Sequence, residues 1–146
     1  VRIPADPRVQ TTVLGNGLAV TTVALPHLHT ATVGLFIKVG SRFETPVDNG
    51  LSHFVEHMLY RGSRRYPDSM ALNTAVERLG SSLHAETGRD YTLFSVALPP
   101  DAVTAALEVL GDLFTYPRFD DFLAVREKLD PQRTFANSYL QQVLGE

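Results

Sequence analysis

The sequence predicts an α+β fold, with helices packed on one face of a largely antiparallel sheet, and three observations carry that prediction. Apolar and β-branched runs flank Gly15-Asn16-Gly17, a hairpin signature because these residues tolerate positive φ. A second pair of strand-like runs, Ser82 to Glu86 and Asp90 to Leu98, flanks the turn Thr87-Gly88-Arg89. Stretches starting at Leu51, Ser69 and Ala102 repeat apolar residues at helical period. Strands that come as hairpins, with helices in separate runs, point to α+β rather than to alternating α/β units.

Taken in order, Gln10 to Leu14 and Leu18 to Ala24 form the first hairpin, and Pro26 to His29 is a loop. Thr30 to Val39 reads as a central strand, with β-branched residues and few charges, and Gly40-Ser41 ends it. The next stretch places Leu51, Phe54, Val55, Met58 and Leu59 along one helical stripe, with His53, Glu56, His57 and Tyr60 on the opposite face. Tyr66-Pro67-Asp68 breaks the chain and caps a helix over Ser69 to Leu79, whose apolar residues include Met70, Leu72 and Val76; Gly80 closes it. Pro99-Pro100-Asp101 then introduces an amphipathic helix to Phe114, its apolar side formed by Val103, Ala106, Leu107, Leu110, Leu113 and Phe114.

Composition bounds the function. A chain of 146 residues, 44% hydrophobic and 20% charged, is that of a globular domain with one core. A net charge of −3 without a basic cluster argues against nucleic acid as a partner. Without cysteine, any metal must be held by His, Asp or Glu. No run of about 18 apolar residues is present, so no membrane span is expected. The chain opens on Val1, from which a trimmed N-terminus is expected; cytoplasm and periplasm both remain open.

The chemistry concentrates in His53-Phe54-Val55-Glu56-His57. Imidazoles at i and i+4 lie one turn apart and lean the same way, so they can hold one metal ion between them. His-x-x-Glu-His is the inverted form of the zinc-peptidase motif, whose glutamate is a general base rather than a ligand. The same residues also suit a plain solvated helix face. The surrounding segments narrow the choice: Gly40-Ser41-Arg42-Phe43-Glu44 and Asp48-Asn49-Gly50 before the helix, Tyr60-Arg61-Gly62-Ser63 after it, and Glu77-Arg78-Leu79-Gly80 through Ala85-Glu86-Thr87 to Arg89-Asp90-Tyr91-Thr92. Together they resemble the insulinase or pitrilysin family of zinc metallopeptidases, over about Val13 to Pro117.

That resemblance implies one partial half of such a peptidase, with Zn2+ on His53 and His57 and Glu56 activating water for hydrolysis of a peptide or protein substrate. It further implies a second homologous half, in the same chain or an oligomeric partner. The strand carrying His84, Ala85 and Glu86 is where the family holds extended substrate; His84 stands in place of the usual Asn, and Phe94 where many members carry tyrosine. Arg42 and Glu44 are candidates to position the start of the ligand helix, or are ordinary loop charges.

The family's third zinc ligand is a glutamate on a later helix. The corresponding stretch here runs through Asp130-Pro131-Gln132-Arg133-Thr134, and none of positions 131 to 136 is a carboxylate. Glu127 is the nearest substitute, ahead of Asp130. The segment from Pro117, through Leu129-Asp130-Pro131 to Phe135-Ala136-Asn137-Ser138-Tyr139-Leu140, is similar to the C-terminus of flavin-linked sugar-alcohol and aldonolactone oxidases, without a flavin domain to accompany it. The expected division is therefore a peptidase-like domain over 1–117 and a helical tail over 118–146. Two alternatives to a zinc metallopeptidase stay open: a non-catalytic structural or interaction subunit, and a composite remnant.

Overall fold

The computed structural model describes residues 6, 8–46 and 49–115. The first hairpin pairs β1 (Val9–Val13) with β2 (Ala19–Val23), Val9 opposite Val23 and Val13 opposite Ala19. Its turn closes where Gly17, at φ 86°, donates its N–H to the Leu14 carbonyl at 2.9 Å. A side chain is disfavoured in that left-handed conformation, which is why glycine serves there. The hairpin stands as its own two-stranded sheet and is exposed along both strands.

The second sheet is antiparallel, made of β3 (Ala31–Ile37), β4 (His84–Thr87) and β5 (Thr92–Leu98) in the order β3-β5-β4. The central strand is thus β5, not the Thr30–Val39 run; among the described strands β3 is an edge. Burial shows why: Thr92, Phe94, Val96 and Leu98 are all buried on one face of β5, whereas β3 alternates half-buried and exposed residues. A β-branched, uncharged composition suits either position, and only pairing on both sides makes a strand central.

Three helices cover the buried face: α1 (Leu51–Leu59), α2 (Ser69–Glu77) and α3 (Val103–Thr115). Leu59, Leu72 and Val76 meet Phe94, Val96 and Leu98 beneath Ala106, Val109, Leu110 and Leu113. Phe94 is the centre of this core, wholly buried, with the Phe114 ring edge-on at 4.9 Å. Each large apolar side chain buried there contributes roughly 1.5–3 kcal/mol. The α2 start is capped as expected, with Asp68 Oδ1 accepting the Ala71 N–H at 2.8 Å.

The helical stripes differ from the sequence reading in detail. Leu107 and Met70 face solvent, Met70 at 77% exposure, and Val109 takes an inward position on α3. On α1 the structure buries Leu51, Ser52, Glu56 and Leu59 and leaves Phe54 38% exposed. The inward face therefore runs through Ser52, Val55, Glu56 and Leu59, rotated toward the motif glutamate. A carboxylate is tolerated there because the sheet supplies it with a hydrogen-bond donor.

Behind α1 the chain is pinned to α3. Ser63, fully buried, donates its hydroxyl to Asp112 Oδ2, which also accepts the Arg65 N–H at 3.2 Å. The Ser63 N–H donates to the Tyr66 carbonyl at 2.7 Å. This clamp holds the C-terminal end of α1 over the core.

Candidate metal centre

The start of α1 is held by a carboxylate from outside the helix. Glu44 Oε2 accepts the Gly50 N–H at 2.8 Å and Oε1 accepts the Ser52 N–H at 2.7 Å. Both N–H groups belong to the turn that a helix leaves unpaired, and the negative charge sits at the positive end of the helix dipole. Glu44 thus does what the sequence suggested for it. Arg42 does not: it pairs with Asp90 at 2.7 Å in the turn after β4. Gly40 lets this loop dock, because a Cβ there would stand 2.6 Å from the carbonyl oxygens of Gly88 and Arg89. The Arg42 N–H donates to that Arg89 oxygen at 2.9 Å.

His53 and His57 are both exposed, and their rings converge. The two Nε2 atoms are 3.0 Å apart, with ring centroids at 4.5 Å and planes at 45°. Two nitrogens bound at about 2 Å to one tetrahedral ion would be roughly 3.3 Å apart, so this donor pair fits zinc with a small adjustment. Among the described residues no third His, Asp or Glu joins them. Glu127 and Asp130 lie outside the described residues.

Glu56 sits deeper, 8% exposed, on the side of α1 toward the sheet. Its Oε2 accepts the Thr87 hydroxyl at 2.5 Å. Thr87 Oγ1 lies 3.3 Å from Thr92 Oγ1, and Thr92 donates to the Val39 carbonyl at 3.0 Å. The sequence reading placed Thr87 in the turn; it is the last residue of β4, paired with Thr92, and the turn follows, closed by the Gly88 N–H on the Tyr91 carbonyl at 2.9 Å. Two threonines bracketing a glycine turn signal a strand pair, but nothing local announces a contact with a helix 31 positions upstream.

A second tie joins α1 to β4. Tyr60 donates its hydroxyl to the Leu83 carbonyl at 3.2 Å, one residue before the strand. Burial, and secondly the negative charge of Glu56, hold the Tyr60 phenol above its ordinary value. Between α1 and β4 opens a cleft of about 500 Å3, lined among others by Asn49, His53, Glu56, Ala85, Glu86 and Arg89. Along β4, Ala85 and Thr87 face the helix side, while His84 and Glu86 are exposed and alternate to the other face. The edge of β4 away from β5 carries no described strand.

Residues 19–144 match the family described as Insulinase (Peptidase family M16). The chain belongs to the insulinase family. A mitochondrial-processing peptidase subunit beta of Blastocladiella emersonii is 38% identical over 122 residues, covering 84% of this chain and 26% of that protein. A protein of Streptomyces coelicolor described as an uncharacterized zinc protease is 34% identical over 107 residues, covering 73% of this chain and 23% of its own length. Among solved structures, a protease from Helicobacter pylori superposes with a TM-score of 0.74 at 25% identity, over 87% of this chain and 31% of that one.

This insulinase-family chain thus spans about a quarter of the length of these curated relatives, 26% in the first case. The family match continues to residue 144, through the stretch expected to be a separate tail, which lies outside the described residues. Among the described residues no helix is long and apolar enough to cross a membrane.

Proposed function

We propose that this chain is the zinc-binding part of a metallopeptidase, with His53 and His57 as metal ligands and Glu56 as general base. The observation that carries this reading is the convergence of the two Nε2 atoms to 3.0 Å beside a cleft that His53 and Glu56 line. Zinc bound by His53 and His57 would supply Lewis acidity, the chemistry that makes water acidic enough near neutral pH for a carboxylate to take its proton. Glu56, which lines the cleft and is held by the Thr87 hydroxyl, would accept the proton of a water there. The substrate peptide lies extended along the outer edge of β4, its backbone meeting that of His84, Ala85 and Glu86, as edge strands accept an added strand. Glu127 would be the third zinc ligand, and a second homologous half would close the cleft over the peptide.

The runner-up is a non-catalytic subunit, favoured by one observation: positions 131 to 136 hold no carboxylate where the family places its third ligand. Zinc content per chain after dialysis against a moderate chelator separates the two. The peptidase reading expects close to one zinc in the full chain, lost in His53→Ala and kept in Glu56→Gln, with peptide turnover absent from Glu56→Gln. A wild-type chain that retains no zinc would leave α1 as scaffold and sink the catalytic reading.

A further inference from the structure

We infer that Thr87 is a positioning residue for Glu56, fixing which of the two carboxylate oxygens faces the cleft; this rests on the reading of Glu56 as general base. Three observations converge on it. Glu56 is nearly buried, so its carboxylate needs a donor, and Thr87 Oγ1 supplies one to Oε2. A hydroxyl has one hydrogen. With the Thr87 hydrogen on Glu56 and the Thr92 hydrogen on the Val39 carbonyl at 3.0 Å, none is left between the two threonines, whose 3.3 Å separation is the longest of the three contacts. The direction of the Thr87 hydrogen bond is thereby set by the sheet and not by the helix that carries Glu56.

The second observation is stiffness. Thr87 is β-branched and stands in register with Thr92 at the turn end of the β4–β5 ladder, so its hydroxyl is a fixed point. Third, Glu56 lines the cleft, and no described residue is seen donating to its Oε1, the oxygen opposite the one that Thr87 holds. Thr87 therefore joins the strand along which the peptide is placed to the carboxylate that activates water. Loss of this hydroxyl should lower turnover and leave peptide affinity in place.

The test uses the full chain and two readouts. In urea melts of the metal-free protein, Thr87→Val should lower the midpoint in the wild-type background and have little effect in Glu56→Ala. Additive losses would overturn the contact itself. With an internally quenched peptide as substrate, Thr87→Val should lower kcat about 10- to 100-fold, the range for residues that orient a metal-site group, with KM within about twofold and zinc content unchanged. Thr87→Ser should restore turnover. An unchanged kcat, or a loss not rescued by serine, would overturn the positioning role. Turnover that survives Glu56→Gln would instead sink the peptidase reading, and in that case, as with a wild-type chain that shows no turnover without its second half, the melts decide the Thr87–Glu56 tie.

Discussion

Among single residues, the motif side chains divide by exposure. His53 and His57 are open to solvent, while Glu56, between them in sequence, is 8% exposed and bonded to the sheet. That division suits the proposed roles, since a ligand must meet an ion arriving from solution, whereas a base works better held in one orientation. Tyr60 offers a pH test of how closely this side of α1 is packed. Its phenol is raised above the ordinary value of 10.0 by burial first and the Glu56 charge second. A group whose folded pKa exceeds its unfolded one stabilises fully below the unfolded value and loses that contribution as pH rises through the folded one. The urea midpoint should therefore fall as pH climbs above about 10, and the fall should flatten in Tyr60→Phe. An equal decline in both proteins would mean that Tyr60 is not buried against Glu56 as described.

For whole elements, helical period named α1, α2 and α3 correctly but placed their inward faces only approximately. Leu107 and Leu110 read alike in sequence; in the structure Leu107 is exposed and Leu110 buried. Period alone defines a stripe to within about one residue in either direction, and the neighbours decide the rest. Leu72, wholly buried between helices and sheet, should accordingly cost about 2–5 kcal/mol on truncation to alanine, and Leu107→Ala less than about 1 kcal/mol. Urea denaturation of the two variants checks this, and comparable losses would show that α3 turns a different face to the core. The rotation of α1 is the case with functional weight, since it carries Glu56 toward Thr87 while leaving both imidazoles in the open.

Across the whole molecule, the described residues form two sheets of unequal protection. Isolated two-stranded hairpins are marginal in water, and β1–β2 is exposed along its length. β5, paired on both sides and buried on its helix face, is the best protected strand. Hydrogen exchange should thus be fast in Val9–Val13 and Ala19–Val23 and slowest in Thr92–Leu98. Equal protection of the hairpin would mean that it packs on something beyond the described contacts. Much of this protein can be read from sequence because it is local: hairpin turns, the Asp68 cap, the helical repeats, and two histidines and a glutamate within one turn and a half. Those features depend on neighbours a few positions apart, which the spacing of residues states directly. The centrality of β5, the inward turn of Glu56, and its hold by Thr87 from 31 positions away were decided by tertiary structure alone. They follow from which faces bury together and which donor a buried carboxylate finds, and no local pattern encodes a partner that only folding brings near.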